Sequence, residues 1–228
     1  MDELVENTNF NQSKPITEVV YESIRRFIIS GIIPVGERII EKEYAEKLNI
    51  SRTPVREALR RLEVEELVEN IPKIGVVVKT ISVEDVLEVY KIRHNLEVLA
   101  IISAMENISD KEIKKIEALL DLTEQKNKEG DIEEVIRLSG EFNAEIYQAS
   151  KMKRLAVMIN RLDEYLQRFR DISISENDRR EKVLKDHRNI LKAITEKDKE
   201  IISELIRRHL EDSFEIVVAE IKDKKRNN

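Results

Sequence analysis

All four prolines of the chain, Pro15, Pro34, Pro54 and Pro72, precede residue 73, and beyond Gly75 only two glycines remain, Gly130 and Gly140. Proline removes a backbone donor, and glycine frees the backbone for turns. A stretch of about 150 residues nearly without them points to uninterrupted helices. The first third of the chain carries the turn and strand signals. The expected division is therefore a mixed domain at 1–80 and an all-helical domain at 81–228. Ser82 followed by Asp85 has the pattern of a helix N-cap with its acidic partner three residues on, and marks where the second domain starts.

Composition narrows the function classes. Cysteine is absent, which excludes disulfides, thiolate metal sites and cysteine nucleophiles and suits a reducing cytoplasm. No apolar run approaches the roughly 20 residues that span a bilayer, and the acidic start MDELVENTNF is unlike a signal peptide. The expectation is a cytoplasmic protein without a membrane segment. With a formal net charge of −6, contact with nucleic acid has to come from a local basic patch.

In the first domain, Val20, Ile24, Phe27 and Ile28 recur at helical spacing within 16–30, and Gly31 ends that helix. A Pro-Val-Gly turn follows at 34–36. A short helix is expected over 41–48, a tight turn at Asn49-Ile50, and a third helix capped by Ser51 and running to about Glu65. ELVEN and GVVVKT flank Pro72-Lys73-Ile74 and read as a β-hairpin. Helix, helix, turn, helix, hairpin is the order of a winged helix-turn-helix.

On the third helix Val55, Leu59 and Leu62 share the core face, and Thr53, Arg56 and Arg60 point outward. SRTPVREALRR holds four arginines against one glutamate within an acidic chain. An arginine fork matches O6 and N7 of guanine in the major groove. Ser51, Thr53 and the free N–H groups at the helix start suit a phosphate oxygen. Lys73, at the tip of the expected wing, is a further candidate phosphate contact. A merely solvated arginine face is the competing reading of the charge pattern alone.

The run from Gly31 to Val78, and SRTPVREALRRLE above all, resembles the DNA-binding domain of the GntR family of bacterial regulators. The resemblance implies a two-fold dimer on a short palindromic operator in double-stranded DNA. By matching position it makes Lys42, Ser51, Arg52, Thr53, Arg56 and the wing glycine Gly75 contact residues. Family members often carry arginine where Lys42 stands, which alters one base contact. Arg60 rests on the helix wheel.

Beyond residue 82, helices are expected over 83–106, 110–128, 131–149, 152–172, 178–195 and 198–224. Ser109 with Glu112 repeats the capping pattern. Polar residues stand on several apolar stripes. Ser139 and Asn143 lie in the series Ile132, Ile136, Ile146, Ser150. His187 lies among Val183, Leu184, Ile190, Leu191 and Ile194, and His209 among Ile202, Leu205, Ile206 and Val217. Arg93 and Glu97 are one turn apart near Tyr90 and Ala100. Buried polar groups need partners, so several helices each offering one or two suggest a shared polar site inside a bundle.

RHNLEVLA, SGEFNAEIYQAS and DHRNILKAI with RRHL resemble the helical ligand-binding domain of the FadR subfamily, often called FCD. The resemblance implies a small-molecule effector, an organic acid by class, that controls operator binding, and a repressor role. Metal-binding members hold a zinc or nickel ion with an aspartate, a histidine four residues on, and two later histidines. This chain keeps His187 and His209 but has Ser139 and Asn143 at the first two positions. A divalent metal, held by His187, His209 and Asn143, is then expected to bind weakly. The alternative is that the same groups hydrogen-bond the effector directly. Arg93 either pairs with Glu97 or grips the effector carboxylate. His94 is expected to be exposed or structural. An enzyme is disfavoured: HExxH, GxSxG, a P-loop and a Rossmann fingerprint are all absent from the sequence. A helical adaptor whose winged domain binds protein is the other alternative, and its binding would lack DNA's steep salt dependence.

Overall fold

The computed structural model describes residues 14–166 and 177–226, which fall into two compact units divided between Ile81 and Ser82. The first unit opens with α1 (Ile16–Ile29), whose buried face is Val20, Ile24, Phe27 and Ile28. Gly31, at φ 75°, ends it, and the Ile33 N–H closes onto the Phe27 carbonyl. Gly36 then turns the chain with φ 81°, the Glu37 N–H donating to the Pro34 carbonyl. Next come β1 (Arg38–Ile39), α2 (Glu41–Lys47) and α3 (Arg52–Val64). Val55, Ala58, Leu59 and Leu62 of α3 are buried against α1, α2 and the following strand.

The wing is β2 (Val68–Ile71) and β3 (Gly75–Val78), antiparallel, with Asn70 opposite Val76. Its tip closes with the Ile74 N–H on the Ile71 carbonyl, and Lys73 stands at φ 68°. The expected two-stranded hairpin is a three-stranded sheet in the order β1-β3-β2. β1 pairs Arg38 with Val77, and the Gly36 N–H and Glu37 carbonyl extend that pairing to Val78. Two residues are too few to show a period-two pattern, so this strand left no mark on the sequence. Ion pairs also fasten α1 to α3 and its C-cap: Arg61 to Glu18 at 2.6 Å and Arg25 to Glu65 at 2.8 Å.

The second unit is a bundle of six described helices: α4 (Val83–Asn107), α5 (Asp110–Glu129), α6 (Ile132–Ala149), α7 (Lys153–Tyr165), α8 (Asn177–Glu196) and α9 (Lys199–Arg226). The fourth expected helix, over 152–172, runs partly outside the described residues. Both predicted capping boxes form. Ser82 and Asp85 exchange hydrogen bonds of 2.8 and 3.0 Å, and Ser109 and Glu112 do the same. Helix α4 is central, packed against α6, α7, α8 and α9.

The cap of α5 has a pH signature. Hydrogen bonds from Lys151 and from the Ser109 hydroxyl and N–H hold the Glu112 carboxyl at about 2, below its ordinary 4.5. A carboxyl depressed on folding adds stability above its unfolded pKa and loses it as pH falls through the folded one. Glu112→Gln is therefore expected to make stability less pH-dependent between pH 4.5 and 2. Urea unfolding across that window checks it. The effect is modest because Lys151 and Glu112 face solvent.

Candidate DNA interface and buried polar cluster

The outward face of α3 carries the candidate DNA contacts. Ser51 takes the expected N-cap position but makes no side-chain cap bond. Its hydroxyl and the first N–H groups of α3 are thus not tied to each other. Ser51, Arg52, Thr53, Arg56 and Arg60 are all exposed. Arg56 lies against Glu41, the first residue of α2, its Nε 3.0 Å and Nη2 2.9 Å from Oε2. That fork raises the Arg56 pKa through the hydrogen bond and the charge of Glu41. Lys42 is exposed, with Nζ 3.7 Å from Glu46. On the wing Lys73 is exposed, and Gly75 has φ 105°, a conformation side chains rarely adopt.

In the helical unit, Arg93 is 3 % exposed and bridges two carboxylates, Glu97 and Asp163, each 2.8 Å from Nη2. Burial alone would lower its pKa, but Asp163 and Glu97 outweigh it and the pKa rises. Of the two readings of Arg93, the pairing with Glu97 is present, but as a buried network and not as a surface pair. Its guanidinium is occupied by the protein's own acids. Asp163 escaped the sequence reading, although it interrupts the stripe Leu155, Ile159, Leu166 at helical spacing.

The second polar group joins α8 and α9. Arg179 is 7 % exposed; Nη2 donates to the His209 carbonyl at 3.0 Å, and Nη1 lies 3.7 Å from Asp212 and 4.0 Å from Asp186. Among the described residues, Arg179 Nε and Nη1 find no hydrogen-bond partner. Burial lowers the Arg179 pKa against the pull of Asp212 and Asp186. His209 Nδ1 is 3.3 Å from Asp186 Oδ2. Burial would raise the Asp186 carboxyl, but the bond from His209 and the charges of His209, Arg179 and Arg208 hold it below its usual range. Tyr90 on α4 donates to Ser213 on α9 at 2.7 Å. Arg179 and Asp186 were missed, although their seven-residue spacing puts both on one face of α8.

His187 and His209 do come together, their ring centroids 5.4 Å apart, and His187 stacks on Phe142 at 4.1 Å. Ser139 is buried at 2 % exposure, and its Oγ has no hydrogen-bond partner among the described residues. Asn143 is only half-buried, which corrects the expected stripe. The buried face of α6 runs through Val135, Leu138, Ser139, Phe142 and Ile146, and Ile132 at the start of the helix is 38 % exposed. His94 meets the Ser203 carbonyl at 3.1 Å and is structural.

A zinc or nickel ion needs three or four donors converging at about 2.0–2.2 Å. Among the described residues, no group of three or more His, Asp or Glu side chains is placed to hold one. His209 spends one nitrogen on Asp186, Ser139 offers no carboxylate, and Asn143 stands at the edge of the buried face. The donor set does not fit a tight metal centre.

A winged helix-turn-helix joined to a helical bundle defines a DNA-binding transcription regulator of two domains. Residues 16–78 match the bacterial regulatory proteins of the gntR family, and residues 88–212 match the FCD domain. The chain belongs to the gntR family and is of its FCD-bearing kind, a non-enzymatic class. It is 28 % identical over 208 residues to the HTH-type transcriptional regulator YdhC of Bacillus subtilis, covering 91 % of this chain and 93 % of YdhC. It is 25 % identical to the HTH-type transcriptional repressor RspR of Escherichia coli over 92 % of each chain. The solved structure of E. coli McbR/YncC superposes with a TM-score of 0.67 at 26 % identity, over 93 % of this chain and 99 % of that one. Among the described residues, no helix is long and apolar enough to cross a membrane.

Removing one member of a buried ionic network leaves an uncompensated charge, at a cost of about 3–5 kcal/mol. Arg93→Met, which strands Glu97 and Asp163, is expected to destabilise the helical unit on that scale. Denaturant unfolding followed by circular dichroism measures it.

Proposed function

We propose that the protein is a repressor that binds a palindromic operator as a homodimer and releases it when a small organic acid binds the helical unit. The observation that carries this reading is Arg179, a buried guanidinium with two N–H-bearing nitrogens that find no hydrogen-bond acceptor among the described residues. A carboxylate accepts from such a fork in a bidentate, charge-assisted pair. The buried Ser139 hydroxyl supplies a further polar group, and His187 and His209 link its helix to α8 and α9 through the stack on Phe142. Arg179 takes the part that the sequence reading gave to Arg93. The proposed site works without a metal.

The repressor role is supported by the likeness to RspR. Dimerisation is supported by the two-fold logic of a winged domain that reads half a palindrome. Leu99, 47 % exposed, and the half-buried Ile102 and Leu162 are candidates for the interface. An effector shifts operator affinity only if it binds one arrangement of the dimer better than the other.

The experiment starts from an operator selected from random duplexes, with binding read by fluorescence anisotropy. A panel of mono-, di- and tricarboxylates is then screened for release of the operator. At least one is expected to act, equally well after chelation of metals, and Arg179→Gln is expected to abolish its effect while leaving operator affinity intact. Release by no acid in the panel, or release that survives Arg179→Gln, counts against the reading. Zinc titration by calorimetry is expected to show no tight site in the native protein.

For the reading head, Arg56→Ala is expected to weaken operator binding by about 1–3 kcal/mol and to relax preference at one base pair of each half-site. Unchanged affinity and preference would remove Arg56 from the base-reading set.

A further inference from the structure

In an acidic chain most cations are neutralised from within. In the winged unit Arg25, Arg56, Arg61 and Lys79 each sit 2.6–2.9 Å from a carboxylate. Among the described residues of that unit, Arg38, Arg52, Arg60 and Lys73 have no ion pair. Arg52 and Arg60 belong to the recognition helix and Lys73 to the wing tip. Arg38 is the fourth, and it belongs to the short strand that the sequence did not reveal.

The register explains where Arg38 reaches. It stands opposite Val77 on β3, so its diagonal neighbour on the same face, two residues along β3, is Gly75. Its aliphatic stem can cover Val77, which is 9 % exposed, while the charged head stays in solvent. The head lies over Gly75: a Cβ built there would be 3.6 Å from Arg38 Nε and 3.8 Å from Nη2. The bare glycine leaves that side of the guanidinium uncovered. An arginine with no ion pair among the described residues, anchored opposite Val77 and with its head over Gly75 at the start of β3, is a donor fork open to an anion.

We propose that Arg38 is a DNA phosphate contact of the wing, acting beside Lys73 and over Gly75. The assignment to a phosphate and not to a base follows from its setting. Arg38 projects from the sheet, not from the recognition helix, and a phosphate needs only a charge and a fork. Arg38 therefore contributes to affinity for any duplex.

The test uses the full-length protein and a random-sequence 30-base-pair duplex, with anisotropy titrations across a series of potassium chloride concentrations. Each phosphate neutralised contributes about 0.9 to the magnitude of the slope of log K against log salt. Arg38→Gln is expected to weaken binding at low salt and to lower that magnitude by about 1 per subunit. Arg38→Lys, which keeps the charge, is expected to retain the native slope. Lys199→Gln, whose lysine is paired with Glu106 in the helical unit, makes the same change in net charge and is expected to leave the slope alone. A native slope in Arg38→Gln overturns the proposal, whatever happens to affinity, because a residue that only props the sheet would weaken binding without changing the number of phosphates neutralised. An equal loss of slope in Lys199→Gln also overturns it, by showing that net charge alone is responsible. Melting temperatures of all three variants confirm that folded proteins are compared.

Discussion

A guanidinium taken out of water costs several kcal/mol unless its charge and its hydrogens are met on the spot. Arg93 meets that condition by drawing Glu97 from its own helix and Asp163 from α7 to within 2.8 Å. Both carboxylates approach the same nitrogen, and the ion pair with Asp163 ties α7 to α4 alongside their packing contacts. With α7 set against one side of α4, and Tyr90 bonded to Ser213 of α9, the central helix holds its neighbours by polar contacts as well as by packing. The Arg179 group, with Asp186 and His209, is a second polar layer between α8 and α9 in the same bundle.

The two layers divide the work differently. Arg93 is closed, its charge matched by two acids of the chain. Arg179 is open, with one hydrogen bond to a carbonyl and its acidic neighbours beyond hydrogen-bonding distance. Both are buried arginines on amphipathic helices, and nothing in composition tells them apart. The difference arises from the lengths of the contacts, which depend on how helices distant in sequence come together.

The same distinction governs how much was legible beforehand. The helix limits were readable because caps are local: Ser82 with Asp85 and Ser109 with Glu112 lie three residues apart, and Gly31 ends its helix by its own backbone freedom. The winged motif was readable because SRTPVREALRR combines an apolar face and a charged one within a dozen residues. The polar cluster was only half readable. His187 and His209 stood out because histidine is rare here, whereas Asp163, Arg179 and Asp186 were hidden among many charged residues. The stripe expected for α6 is buried at Ser139, Ile146 and Ser150, while Asn143 lies at its edge, half-buried, because Val135, Leu138 and Phe142 share the inward face. Strand β1 was invisible because two residues carry no period.

The fork between Arg56 and Glu41 has a consequence for selectivity. Before any DNA arrives, the arginine already has a bidentate partner, at 2.9 and 3.0 Å. Under the reading proposed for Arg56, a base edge must therefore outcompete an internal rival and not merely displace water. Guanine, with two acceptors side by side, can do so; an edge with a single acceptor offers less than the arginine gives up. Under that reading Glu41 sets a small threshold against wrong sequences, since an exposed ion pair contributes about 0–1 kcal/mol.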